Sequence, residues 1–112
     1  MSCIFCRIAA GEIPAQRVLE SEGVIAFHDL NPQAPVHVLV IPKRHIDSVG
    51  TAGEDDAALL GEVLLQCRRV ADALNVTRGF RVVLNTGENG GQTVPHLHAH
   101  VLAGRSLGWP PG

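Results

Sequence analysis

No apolar run in this chain approaches the length of a membrane span, and its start carries no signal-peptide pattern. The expectation is a cytoplasmic protein that makes no use of a membrane. A surplus of positive charge is also missing. The formal net charge is −2, which argues against nucleic acid or an anionic surface as partner. Any phosphate ligand must therefore be held by local groups. Cysteine is scarce and odd in number, three residues in all. In a cytosolic chain that suggests thiols or metal ligands, not a disulfide framework. Charged residues make up only 18% of the chain against 46% hydrophobic ones. So apolar a balance in so small a chain hints at an extra buried surface such as a subunit interface. The 112 residues suit one domain, 1–112, able to bury roughly two thirds of its unfolded surface. No repeat or linker divides it.

The local patterns give an order of elements. Ile4, Phe5 and Ile8 have helical spacing, with Ser2 as a cap and Gly11 as a stop, so a short helix is predicted over 3–10. Arg17–Glu20 and Val24–Asp29 read as a hairpin around Ser21-Glu22-Gly23. After the loop Asn31-Pro32-Gln33-Ala34-Pro35, the run Val36–Ile41 is almost wholly apolar, as a central strand requires, and only His37 interrupts it. Thr51-x-x-Glu54 fits a capping box opening a helix to about Asn75. Its expected buried stripe is Leu59, Leu60, Val63, Leu64, Cys67, Val70, Ala71 and Leu74, with Leu65 widening the apolar face. Phe80–Asn85 is a further strand, and Val94-Pro95 leads into the last one. Helix, hairpin, strand, helix and two strands imply an α+β fold with a mainly antiparallel sheet.

The last strand carries His96-Leu97-His98-Ala99-His100. Strand alternation puts the three histidines on one face and Leu97, Ala99 and Val101 on the other. The outer two are then roughly 13 Å apart, too far to share one atom, so their roles must differ. Directly before them lies Thr86-Gly87-Glu88-Asn89-Gly90-Gly91-Gln92-Thr93, whose backbone N–H groups can turn towards an anion. It lacks the Walker Gly-x-x-x-x-Gly-Lys pattern. A half-buried strand with an incidental polar face, a metal site and phosphate chemistry are the three alternatives, and the glycine loop favours the last. Neutral imidazole is a competent nucleophile near pH 7, since its ordinary pKa is about 6.5. A backbone carbonyl, helped by His37, can fix the tautomer. Cys3-x-x-Cys6 has the spacing of half a zinc site, although redox pairs and plain buried cysteines look the same.

Gly90 to Leu102 resembles the signature of the histidine triad family, His-φ-His-φ-His-φ-φ with φ apolar. Ala26 to His37, Ile41-Pro42-Lys43-Arg44-His45 and the closing Trp109-Pro110-Pro111-Gly112 resemble it as well. The similarity covers nearly the whole chain and points to the Hint branch, the nucleoside phosphoramidases. It implies a five-stranded antiparallel sheet with one long and one short helix, paired into a ten-stranded sheet in a homodimer. It also implies a purine nucleoside monophosphate site and hydrolysis of the bond between the 5′ phosphate and an amine, with no cofactor required for catalysis. By motif position His98 is then the nucleophile, His100 contacts the phosphate, and His37 lies beside His98. His96 and Thr93 serve the leaving group. Asn85, Gly91, Gln92 and Thr93 hold the phosphate side, Asp29 takes the ribose hydroxyls, and Leu30 borders the base. Ile4, Phe5, Phe27, His28 and Leu39 resemble the rest of the nucleoside pocket, and Trp109 a tail residue that reaches towards the partner subunit.

Some bacterial members of that family bind zinc through a C-x-x-C pair, the histidine of the Pro-Lys-x-His segment and the first triad histidine. All four positions are filled here, by Cys3, Cys6, His45 and His96. Such a zinc would be structural, and His96 would then be less available as an acid. Two rivals to the phosphoramidase remain open: a nucleotide-binding or interaction module with incidental hydrolysis, and a metal protein that uses the triad itself as ligands.

Overall fold

The computed structural model describes residues 3–112; the Ser2 cap lies outside them. The elements run α1 (Ile4–Ala9), β1 (Arg17–Glu20), β2 (Val24–His28), β3 (Val36–Pro42), α2 (Ala57–Ala73), β4 (Phe80–Val83) and β5 (Ala99–Ala103). All strand pairs are antiparallel, in the order β1-β2-β3-β5-β4. The α+β class and the five-stranded sheet are as the sequence leads one to expect. No helix among the described residues is long and apolar enough to cross a membrane.

β3 is central, which accounts for its apolar run: both of its faces are covered. Val38 and Val40 face α2 and join Val24, Ala26, Leu97, Ala99 and Val101 in one core with Val63, Cys67 and Val70 of the helix. Burying Val63 and Val70 contributes about 2 kcal/mol each. The alternate residues Leu39 and Ile41 turn the other way and meet Ile25, Phe27 and, from α1, Phe5 and Ile8. Register carries this second face across the sheet. Leu39 pairs with Phe27 and with His100, and directly opposite residues share a face. His37 and His100 therefore stand on the α1 side.

Three boundaries differ from expectation. The long helix begins at Ala57, because Thr51 turns its hydroxyl back to Ser48, accepting from its N–H at 3.2 Å. Two 3-10 turns, Val49–Thr51 and Glu54–Asp56, fill the gap, and the Asp56 carboxylate accepts from Gly53 N–H at 2.8 Å. On α2 it is Gln66 that is buried, while Leu64 and Leu65 are 54% and 44% exposed. The histidine strand begins only at Ala99, and Phe80–Asn85 pairs only as far as Val83. Pro95 is thus outside the ladder. Leu97 and its alternates still face α2 as the pattern requires, so the division of sides survives without regular pairing. At the other end of the chain, Cys3 is the N-cap of α1, its Sγ accepting from Cys6 N–H at 3.4 Å.

Candidate active site

Hydrogen bonds assign a tautomer to each imidazole around the triad. Gln33 N–H donates to His37 Nδ1 at 3.0 Å, so in the neutral His37 ring the proton sits on Nε2. That nitrogen lies 2.9 Å from His100 Nδ1 and 3.4 Å from Asp29 Oδ2. His37 Nε2–H donates to His100, which leaves the His100 proton on Nε2. For His98, Nδ1–H donates to the His96 carbonyl at 2.7 Å, and Nε2 keeps the lone pair. His98 and His100 stand with ring centroids 4.9 Å apart. One ring thus offers a nucleophilic nitrogen and its neighbour an N–H donor.

His37 is placed differently from expectation: it contacts His100, not His98. The cause is register. His37 pairs with Leu102 and His100 with Leu39, so the two histidines are diagonal neighbours, within reach of long side chains. His98 lies one further step of two residues along, and the backbone carbonyl of His96 does the work expected of His37. Gln33, whose N–H begins the chain of bonds, and Pro42 were not singled out by sequence; both act through backbone groups, an N–H that every residue but proline supplies and a carbonyl that every residue supplies.

His96 departs from the leaving-group role. It is 0% exposed, its Nε2–H donates to the Pro42 carbonyl at 2.9 Å, and its Nδ1 faces Cys3 Sγ at 3.3 Å and Cys6 Sγ at 3.5 Å. Neither nitrogen is left for a leaving amine. Close by, His45 Nδ1 faces Cys6 Sγ at 3.3 Å, and its Nε2–H donates to Asp47 at 2.6 Å. Leu97 N–H donates to the Ile46 carbonyl at 2.6 Å, which brings the two histidine segments together. The ligand atoms of Cys3, Cys6, His45 and His96 all lie within 4.8 Å of one another.

These residues fit a tetrahedral thiolate–imidazole site. With metal–sulfur bonds of about 2.3 Å and metal–nitrogen bonds of about 2.0 Å, ligand atoms stand roughly 3.5 Å apart. Both imidazoles present Nδ1 inwards and donate Nε2–H to an oxygen, the outer-sphere pattern of metal-bound histidine. Burial pushes the Cys3 thiol up, but hydrogen bonds with the Cys6 backbone and side chain and with His45 outweigh it and hold the thiol below its ordinary range. Burial and Cys3 push Cys6 up. The triad histidines do not converge on one point: His96 turns to the cysteines and His100 to His37 and Asp29. That geometry disfavours the triad itself as a ligand set.

The glycine loop is a braced turn. Gly91 N–H donates to Glu88 O at 3.0 Å and Gln92 N–H to Gly87 O at 3.1 Å. These two N–H groups are therefore spent inside the loop and do not form the expected anion nest. The Gln92 amide, expected at the phosphate, clamps the turn: it donates to Asp47 O at 2.7 Å and Val94 O at 3.0 Å and accepts from Gly87 N–H at 3.1 Å. A Cβ at Gly90 would run into the Thr86 carbonyl, and Gly91 has φ +83°, so both positions require glycine. Gly87, Glu88, Gly91, Gln92, Thr93 and Pro95 line an open groove of about 510 Å³.

The other expected pocket residues divide. Phe5 stands edge-on to Phe27 at 5.7 Å and to His98 at 5.2 Å, and Leu39 packs in the same cluster. Asp29 starts the Asn31 turn, its Oδ1 accepting from Asn31 N–H at 2.7 Å, and faces His37 with its other oxygen. Asn85 is half-buried just beyond β4. His28 alternates away from Phe27 and pairs with Val38. Ile4, Leu30 and Trp109 are exposed, Leu30 to 98%. The tail bearing Trp109 is held by Arg81, which donates to Leu107 O at 3.2 Å and Gly108 O at 2.6 Å.

Burial, with His98 and His37 as neighbours, lowers the His100 pKa to about 4, and burial lowers that of His37 against the pull of Asp29. Both rings are thus neutral at pH 7. The unfolded chain takes up protons near 6.5 while the folded one resists, so stability is full above that pH and is lost as pH falls towards about 4. The urea midpoint should be lower at pH 5 than at pH 7, and His100→Gln should flatten that dependence.

Comparison with known proteins places this geometry. The family described as HIT domain matches residues 10–107. An uncharacterized HIT-like protein of Synechococcus elongatus is 52% identical over 109 residues, 97% of this chain and 96% of the relative. A HIT family hydrolase from Legionella pneumophila superposes with a TM-score of 0.95 at 46% identity, covering 99% of this chain and 100% of that one. The histidine triad nucleotide-binding protein from Candida albicans gives 0.81 at 33% identity, covering 97% and 83%.

Proposed function

This chain belongs to the HIT domain family, and from that premise we propose that it is a hydrolase of the Hint type that cleaves purine nucleoside 5′-phosphoramidates through a nucleotidyl intermediate on His98. The observation that carries the reading is the bond from His98 Nδ1–H to the His96 carbonyl. It points the lone pair of Nε2 outwards without any strong base. Likeness to a Legionella protein titled a hydrolase and a Candida protein titled nucleotide-binding supports the class.

In the first step His98 Nε2 attacks phosphorus, the P–N bond breaks, and the amine leaves with a proton. With His96 enclosed, the Thr93 hydroxyl is the group assigned to relay that proton. His100 Nε2–H donates to a non-bridging phosphate oxygen as charge develops there. Asn85 and the loop at Gly91 and Gln92 flank the phosphate. Asp29 receives the ribose hydroxyls on lone pairs its present bonds leave over. Phe27 and Leu39 wall the base, with Leu30 at its border. In the second step water takes the nucleotidyl group from His98, releasing the monophosphate.

Cys3, Cys6, His45 and His96 are proposed to hold one structural zinc, which ties α1 to the sheet; no metal is needed for the two displacements. A homodimer with a ten-stranded sheet is proposed through β4. In support, β4 is an edge strand that pairs only with β5 among the described residues. Its Phe80 is 42% exposed, and Arg81 holds the Trp109 tail to the same strand. An adenosine 5′-phosphoramidate of a fluorescent amine tests the activity. Release of amine and AMP that persists, at a reduced rate, in the presence of chelator, with a nucleotidyl adduct trapped on acid-free quenching, is the expected result. Tight AMP binding without turnover would instead mark a binding module.

A further inference from the structure

The cysteine–histidine cluster and the reactive imidazole are joined by two separate connections. The first is His96, whose ring belongs to the cluster while its backbone carbonyl takes the Nδ1–H of His98 at 2.7 Å. Any rotation of the His96 peptide moves that acceptor. The second is Phe5, which lies on α1 between Cys3 and Cys6. Its ring stands edge-on to His96 at 5.8 Å and 79°, and to His98 at 5.2 Å and 78°.

α1 is tied to the cluster at its first turn and to the sheet through Phe5 and Ile8. It has six residues, and helices that short do not hold in isolation. Its first turn is organised by Cys3: the Sγ accepts from Cys6 N–H at 3.4 Å and the carbonyl from Arg7 N–H at 3.0 Å. Phe27 backs Phe5 from the sheet side at 5.7 Å. An imidazole held at one nitrogen by one bond can still swing about its last torsion. The Phe5 edge is what restricts that swing for His98.

We propose that the Cys3–Cys6–His45–His96 cluster, when filled by a divalent cation of the zinc type, acts through the His96 carbonyl and the Phe5 ring to lock His98 in its Nδ1–H form and attacking orientation. Phe5 is then a positioning residue for the nucleophile. The inference rests on the assignment of His98 as nucleophile and of the cluster as a zinc site.

Ring-nitrogen NMR of histidine-labelled protein at one fixed pH tests it on the unaltered sequence. With one zinc per chain, His98 should show a single Nδ1–H tautomer; after chelation its two nitrogens should average. Turnover of the adenosine phosphoramidate should fall about tenfold in kcat on chelation, the scale expected for a slight misplacement of a reacting group, while AMP affinity stays within about twofold. Phe5→Leu should reproduce both changes with its zinc still bound. A merely structural Phe5 would lower the melting temperature and leave the tautomer signal as it was. An unchanged His98 signal on chelation, or a chain that takes up no zinc, overturns the coupling. Failure to cleave the phosphoramidate at all would refute the assigned reaction, and the tautomer measurement would still decide the coupling on its own.

Discussion

Substituting alanine for His98 should lower phosphoramidate turnover by at least ~10³-fold, the range seen when a covalent nucleophile is removed. AMP binding should change little. Loss of rate and loss of binding separate here because the two tasks fall to different groups. The Nε2 lone pair of His98 is what forms the bond to phosphorus. His100 Nε2–H, Asp29 and the Phe27–Leu39 wall hold the nucleotide, and none of them takes its orientation from His98: His100 is held by His37, which Gln33 N–H fixes in turn, and Asp29 by Asn31. His98→Gly with added imidazole should recover part of the rate, since the free ring can occupy the vacated volume beside His100 and Phe5. His100→Gln should cost less, because an amide N–H can still reach the phosphate oxygen. Stopped-flow release of the fluorescent amine measures all three. Undiminished turnover in His98→Ala would end the covalent mechanism.

Periodicity was enough to place most of the fold. Val36 to Ile41 is apolar on both faces because β3 is central, and His37 stands out in the sequence for the same reason. Leu97, Ala99 and Val101 alternate with the histidines and do face α2. Long-range register was beyond what the residues reveal. Whether His37 meets His98 or His100 depends on how β3 slides against β5, and no local pattern records that. Backbone acceptors are equally silent: the His96 carbonyl fixes the tautomer of His98, and the Pro42 carbonyl occupies His96, yet both would read the same in any residue. The loop misled in another way. Glycines in such a loop can expose N–H groups to an anion, whereas at Gly91 the positive φ lets the chain turn back and satisfy its own carbonyls. Asp47 carries a weak signal that was available, since it lies two residues from His45 and on an extended segment can reach the same imidazole.

Removing metal should have its largest effect on stability. A cation that binds only the folded chain stabilises it by RT ln(1 + [L]/Kd), about 4 kcal/mol at a thousandfold excess over Kd. For a domain of this size that corresponds to a melting temperature about 15 °C higher with zinc than after chelation. The increment should be selective among the cysteines. Cys6→Ser should abolish it and bring the protein close to the chelated wild type, because its Sγ faces both His45 and His96. Cys67→Ser should keep it; that thiol is buried in the α2 core, with its pKa pushed up to about 11 by burial, and is not among the clustered ligands. The same cysteine pair acting as a disulfide would give the opposite pattern, with stability lost on adding a reductant and indifferent to chelator. Differential scanning calorimetry of the wild type and both variants, with zinc, with chelator and with reductant, distinguishes the two. His45→Ala gives an independent check. His45 is partly exposed, and its ring meets the two cysteines, His96 and Asp47, whose carboxylate raises its pKa. Its loss removes a ligand without opening the core, so the zinc increment should fall while the chelated protein melts where the wild type does.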